Sequence, residues 1–503
     1  MRSNAPKHLT KEGVNKNLLS EFAQELIDIL SGGSRVDVMN CRPLLFAFFL
    51  LTSAATAQEW TRFRGPNGSG VSTDTGFPTE FNKSKNLVWR TPVRPGKSSP
   101  VLTRRHVFLT AFENGKLFTQ CFDRETGKLL WERSLDRARV EPANSQNHPA
   151  AITPVTDGDS VYSFFPEYGL VAYSADGKEL WRAPLGPFSN EMGHSASPII
   201  AAGKIVLVLD GMLDPYIAAF DKNNGELRWK TSREEMDGYA TPLVYQPAGS
   251  PAVVITASRG QLGAHRLDNG NRLWSWKKLP STPVASPILV NDTLFAFGYG
   301  NDSAAPLFSN QLRRYDKNHD GKLSADEYGD NAYLIGVARF GGDKDGIVTQ
   351  EEFDYRQSLS QQPSGLLAIQ LDRNADSTPR EVWRYEKSFV GVIPSPLYYE
   401  GVLYVMKNGG LFTSFNPKTG SVEKAARVAG ALGGYSSSPV AAEGKIFVAS
   451  EEGKVTVLKA GSDWEVIQVN DLNEGCYATP ALAGGNIYLR TNDALYRFGI
   501  TTP

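Results

Sequence analysis

Cysteine is scarce in this chain: Cys41, Cys121 and Cys476 are the only three in 503 residues. None stands in a CxxC, a CxxCH or a vicinal pair. That excludes a zinc ribbon, a c-type haem attachment and a disulfide framework. Cys121 and Cys476 are left either as a pair in an oxidising compartment or as two isolated thiols. Excess charge is lacking too, with 53 Lys and Arg against 54 Asp and Glu and a formal net charge of -1. A near-neutral chain has no electrostatic footprint for nucleic acid or for an anionic membrane surface. No nucleophile elbow, H-E-x-x-H or Walker loop occurs, so the common signatures of acyl-transfer, zinc-protease and nucleotide chemistry are missing. The apolar stretch Leu44–Leu51 falls well short of the about 20 residues a transmembrane span needs.

That stretch belongs instead to a secretory grammar. Met39 and Arg42 form a short basic start, Leu44–Leu51 the apolar segment, and Ala55-Thr56-Ala57 a cleavage signature before Gln58. No cysteine follows, so no lipid anchor is expected. Residues 1–57 are therefore an upstream extension plus signal peptide, with Met39 as the start and a periplasmic or secreted destination. The alternative for residues 1–38 is a short helix, since Leu18, Phe22, Leu26 and Leu30 recur every four positions.

What the chain does have is a repeat. Ser or Thr followed by Pro and an apolar residue occurs at Ser99, Thr153, Ser197, Thr241, Ser286, Ser395, Ser438 and Thr479. Successive prolines lie 54, 44, 44, 45, 109, 43 and 41 residues apart. A period in the forties belongs to units that bury their apolar faces only against one another. After each Pro come two apolar runs around a Gly-bearing turn, then a third strand. A polar turn follows, and then a strand with Trp, as in Asp123–Trp131, Ala175–Trp181 and Asp221–Trp229. Four strands in each of eight repeats predict an all-β chain, an eight-bladed β-propeller. The last repeat shows only three strands, and Asn86–Val93 supplies a fourth that closes the ring. The propeller spans 58–300 and 365–503, and the long gap predicts an insertion over 301–364 in the fifth blade.

The turn-strand phrase and the Ser/Thr-Pro start resemble the quinoprotein-type, or PQQ-like, propeller repeat. The opening Trp60-Thr61-Arg62-Phe63-Arg64-Gly65-Pro66-Asn67-Gly68-Ser69-Gly70 is similar to the start of many secreted bacterial members. The resemblance covers residues 60–300 and 364–498. It implies the propeller fold and leaves activity open. The family includes the pyrroloquinoline quinone (PQQ) dehydrogenases and a non-enzymatic outer-membrane β-barrel assembly lipoprotein.

The insertion carries a metal motif. Asp316 to Glu327 fills the twelve positions of an EF-hand calcium loop. Asp316, Asn318 and Asp320 would give side-chain oxygens, Lys322 its carbonyl, Ser324 a direct or water-borne contact and Glu327 both carboxylate oxygens, with Gly321 at the sharp turn. Leu307, Phe308, Leu312 and Tyr315 suit one face of a leading helix. A second, weaker loop runs from Gly341 to Glu352, with Asp343, Asp345, Ile347, Thr349 and Glu352 at ligand positions. Glycine stands at its first position, where the pattern has Asp, so one carboxylate is missing. The small α-helical EF-hand module falls between strands two and three of its blade, on the face marked by the Ser/Thr-Pro phrases. Steady extracellular calcium would make it a structural staple.

Before several phrases stand His148, His194, Tyr239, Tyr435 and Tyr477. Symmetry offers them as a recognition ring at the channel mouth, or as a plug of its top. Arg62 and Arg64 are expected to tuck under the closure. The function expected is a secreted calcium-binding propeller acting as a binding or scaffold protein at the cell envelope, with an envelope protein, peptide or glycan as partner. The alternative is a PQQ-dependent oxidoreductase. The absence of a vicinal cysteine pair, and of an acidic cluster outside the EF-hand, speaks against the quinone and against catalysis.

Overall fold

The computed structural model describes residues 59–500 except 145, 191, 236–237, 281–283, 299–306, 362 and 388–391. The signal-peptide reading, the Met39 start and Cys41 lie outside these residues. Each Ser/Thr-Pro phrase opens one four-stranded sheet, and there are eight such sheets. Blade 1 holds Val101–Leu102, His106–Glu113, Lys116–Asp123 and Leu129–Asp136 in antiparallel order, and the other blades repeat this plan. In blade 8, Ala481–Ala483, Asn486–Arg490 and Ala494–Phe498 are completed by Leu87–Pro92, which pairs Arg90 with Tyr496 and Thr91 with Leu495. The ring is therefore closed by its own N-terminal strand, which gives blade 8 the same four strands as the others. Among the described residues no helix is long and apolar enough to cross a membrane.

Tryptophan joins one blade to the next. In six of the eight blades the fourth strand carries a Trp that lies on the tight turn of the following blade and donates its indole N–H to a carbonyl there; the fourth strands of blades 6 and 7 have none. Trp89 bonds Arg124, Trp131 bonds Ala175, Trp181 bonds Lys222 and Trp229 bonds Leu267, at 3.1, 2.8, 2.9 and 3.2 Å. The turn must bare its backbone to accept the ring. At Gly225, φ is +74° and an added Cβ would come within 2.5 Å of Trp181 Cε3. The glycine of the repeat phrase is thus demanded twice, by its own dihedral and by the neighbour's indole. Cys121 and Cys476 are buried in different blade interfaces and remain two free thiols.

The insertion in blade 5 leaves and rejoins at a paired position, since Gly298 faces Gly365 across the second and third strands. It contains α1 (Phe308–Tyr315), α2 (Ala325–Tyr328), α3 (Ala332–Phe340) and α4 (Gln350–Ser360). Phe308, Leu323, Leu334, Val337, Val348 and Phe353 form its own core. Leu312 and Tyr315 pack against that core as expected, whereas Leu307 caps α1 from an exposed position. Leu323 and Val348, the eighth residues of the two loops, exchange N–H···O bonds of 3.0 and 2.8 Å. This bridge ties the loops into one unit.

Candidate functional site

The eight hydroxyls of the Ser/Thr-Pro phrases form a closed belt. The N–H of each phrase donates to the hydroxyl of the next: Ser99 to Thr153, Thr153 to Ser197, Ser197 to Thr241 and Thr241 to Ser286. The belt continues from Ser286 to Ser395, Ser395 to Ser438, Ser438 to Thr479 and Thr479 back to Ser99, all within 2.9–3.2 Å. Pro follows each one, so the next residue offers no N–H to compete, and its fixed φ turns the chain into the first strand. The hydroxyl is a requirement of closure, because a buried N–H without an acceptor is costly.

Above this belt opens a cavity of about 520 Å³. A second tier of side chains stands two residues before each hydroxyl: Lys97, Ala151, Ser195, Tyr239, Val284, Ile393, Ser436 and Tyr477 all line it. In an extended chain alternate residues share a face, so this tier faces the same space as the belt. Asn144, Gln146, Asn147, Met192, Met212 and Asn408 add to the wall with Arg259 and Glu451, and Phe63 is also in the lining. Charge is sparse. Lys97 donates to the Gln146 carbonyl at 2.6 Å and lies 4.1 Å from the Tyr477 ring centre. Burial lowers its pKa, and Glu451 partly restores it.

Phe63 belongs to a strap that the sequence did not reveal as such. Residues 60–72 pass across the ring, touching blade 1 through Trp60–Leu102 and blade 7 through Gly70 and Ser72 on Ala441. Arg62 donates to the Pro242 carbonyl at 2.8 Å, and Arg64 to that of Pro396 at 2.8 Å. Both guanidinium groups are buried, and burial lowers their pKa values to about 10 and about 9. They are structural bolts, as expected, but they grip the phrase prolines themselves.

Of the five ring candidates, Tyr239 and Tyr477 line the cavity; His148, His194 and Tyr435 are not among the lining residues. Tyr435 is fully buried and donates its hydroxyl to the Ala431 carbonyl at 2.7 Å. His194 packs edge-on against Phe188, and burial, helped by Arg139, lowers its pKa to about 4. His148 Nδ1 accepts from the Ala150 N–H at 3.1 Å. Tyr239 and Tyr477 belong to the tier two residues before the hydroxyls, whereas His194 and Tyr435 stand three before and His148 five. Offset alone does not decide exposure to the cavity, since Val392 and Met192 line it at offsets of three and five. His148 sits in a turn closed by the Ala151 N–H on its carbonyl, and His194 and Tyr435 are held by Phe188 and Ala431.

In the insertion, the first loop is self-satisfied. Asp316 accepts from His319 and Gly321 N–H groups, Asn318 from Asp320, and Asp320 from Lys322. Glu327 accepts from the N–H and hydroxyl of Ser324 at 2.9 Å each, and from the Lys317 and Asn318 N–H groups. These bonds, those of Ser324 first, hold its carboxyl down to about 2. In the second loop, one oxygen each from Asp343, Asp345 and Glu352 lies within 4.8 Å of the others. Among the described residues this is the one convergent group of three or more such ligand side chains. Its flanking helices dock on blades 3 and 4. Arg356 donates to the Glu234 carbonyl at 2.8 Å, Arg339 to that of Leu213 at 3.2 Å, and Gly336 passes over the Met212 carbonyl. The module thus abuts the cavity wall at Met212.

The family profile described as outer membrane protein assembly factor BamB matches residues 71–185, 113–319 and 370–502, more than half of the chain. Among solved structures the chain is similar to a europium-containing methanol dehydrogenase, at 11% identity and TM-score 0.53, over 86% of this chain and 89% of that one. It is similar to the computationally designed Ika8 protein at 10% identity and TM-score 0.50, over 83% of this chain and all of that one (100%). BamB from Moraxella catarrhalis is 13% identical over 85% of this chain and 99% of that one, with TM-score 0.49. No curated protein matches the sequence. The two higher-scoring likenesses concern the fold alone, which is shared here by an enzyme and a design.

Proposed function

We infer function from family and site together: the chain belongs to the family described as outer membrane protein assembly factor BamB, and its cavity is built for binding. It is a secreted or periplasmic calcium-binding propeller that acts as a binding or scaffold protein at the cell envelope, and the cavity over the hydroxyl belt takes an extended peptide segment of an envelope protein. The observation that carries this reading is the chemistry of the lining. Amides, hydroxyls, two tyrosines and two methionines dominate, and among the described lining residues Lys97, Arg259 and Glu451 are the only ionisable groups besides the tyrosines. Such a wall offers hydrogen bonds to peptide groups and aromatic and thioether contact to side chains. The loops of the insertion carry the oxygen donors that a hard cation prefers, so calcium is the proposed metal, with the first and second loops as its candidates.

The cavity does not fit PQQ. That quinone carries three carboxylates and calls for concentrated positive charge, whereas the described lining offers two cations, Lys97, engaged with the Gln146 carbonyl, and Arg259, and Glu451 opposes an anion. The test has two arms. Wild-type protein and a Tyr239→Ala, Tyr477→Ala double variant are used to retrieve partners from an envelope fraction of the source cells. The wild type is expected to retain a protein that the variant binds about tenfold or more weakly; equal retention removes the cavity from the reading, and retention of glycan alone shifts the ligand class. Mixing the protein with PQQ and calcium is expected to leave the quinone spectrum unchanged. Stoichiometric binding would instead support the oxidoreductase.

A further inference from the structure

The calcium reading leaves two loops, and the residue pattern ranks the first above the second. We propose the reverse: the second loop, residues 341–352, is the principal calcium site, held by Asp343, Asp345 and Glu352. This rests on the reading of the insertion as a calcium module and names the site within it.

Convergence of the three carboxylates is the first ground. The second is a buried oxygen with nothing to bind. Glu352 is 6% exposed, and its Oε1 has no hydrogen-bond partner among the described residues. Only Oε2 is used, by the N–H and hydroxyl of Thr349, at 3.0 Å each. A buried carboxylate oxygen left bare is costly unless a cation meets it. The first loop presents the opposite situation, since both oxygens of Glu327 are taken by four donors. An ion there must first break those bonds.

The glycine at the first position of the second loop is also more than a lost ligand. A Cβ on Gly341 would come 2.5 Å from the Val337 carbonyl and 3.0 Å from Glu352 Cβ, and one on Gly342 would come 2.6 Å from Glu352 Oε1. The two glycines let the start of the loop close over the glutamate. Finally, α3 and α4, which flank this loop, carry the docking residues Gly336, Arg339 and Arg356, and Lys344 within the loop lies 3.8 Å from Glu234. A loop fixed on both sides loses less freedom when it binds an ion.

The test is calcium titration calorimetry on the chelator-stripped full chain and three variants. Glu327→Gln is expected to keep the tightest site within about twofold, while Asp345→Asn and Glu352→Gln weaken it about tenfold or more, because each removes a ligand charge. Glu352 also caps α4, so the exposed Asp345 is the control, with an unchanged circular dichroism spectrum as the check on folding. Loss of the tight site in Glu327→Gln alone, or equal loss in all three, overturns the assignment and leaves the module reading standing. No binding by the wild type overturns both.

Discussion

Thr241 shows how much one hydroxyl can carry. It accepts from the N–H of Ser197, one blade back, and its own N–H donates to Ser286, one blade on. Valine has nearly the same shape and no acceptor. Thr241→Val should therefore strand the buried Ser197 N–H at a cost of about 1–3 kcal/mol, seen as a lower urea midpoint with an unchanged slope. Thr241→Ser should restore most of it. An unchanged midpoint in the valine variant would mean that the belt adds nothing to stability. The hydroxyl at every phrase was legible in the sequence. Its partner, 44 residues away for Thr241 and Ser197, was not, because hydrogen-bond geometry exists only once the ring has closed. The same limit applies to the mouth: the aromatic and His residues were visible, but their packing partners, such as Phe188 for His194 and the Ala431 carbonyl for Tyr435, decided which of them face the cavity.

At the scale of elements, the closing strand depends on a clasp as well as on its ladder. Lys83 and Arg90, before and on that strand, reach Glu474 at 2.9 and 3.2 Å, and Tyr496 and Thr491 donate to the same carboxylate. Burial alone would raise the Glu474 pKa; the hydrogen bonds from Thr491, Lys83, Tyr496 and Arg90 outweigh it and bring the pKa from 4.5 down to about 2. A carboxylate so depressed stabilises the fold above its unfolded pKa, and the contribution is lost as the pH falls through the folded value. Glu474→Gln should then lower stability at pH 7 by up to about 3 kcal/mol. The deficit should shrink between pH 4.5 and about 2. Thermal melts of both proteins across that range check the sign, and a deficit independent of pH would assign the loss to packing instead. The strand's place in blade 8 follows from counting strands in the repeats, while the clasp comes from loops that no repeat describes.

For the whole molecule, the insertion is the separable part. Gly298 and Gly365 face each other across a ladder, so a short Gly/Ser turn in place of residues 301–364 should leave the eight blades intact, because loop length alone costs little. The excised protein should keep a β-rich circular dichroism spectrum and cooperative melting, and lose calcium binding. Its melting temperature should fall modestly, since Arg356 and Arg339 no longer hold Glu234 and Leu213. Failure to fold would make the insertion part of the core. Calcium binding that survives excision would place the metal elsewhere in the propeller.

The sequence by itself determined the number of blades, the closing strand and the place of the insertion, because each is a matter of period and strand count. It also determined the twelve-position spacing of the loops, since ligand positions in a short loop are local. Only the tertiary structure decided what lies at the centre. The strap of residues 60–72, the bolts from Arg62 and Arg64 to Pro242 and Pro396, and the tier two residues before each hydroxyl all join segments far apart in the chain. Likewise, a bare Glu352 oxygen and a saturated Glu327 differ in burial and in competing donors, which depend on packing and not on the identity of the residue.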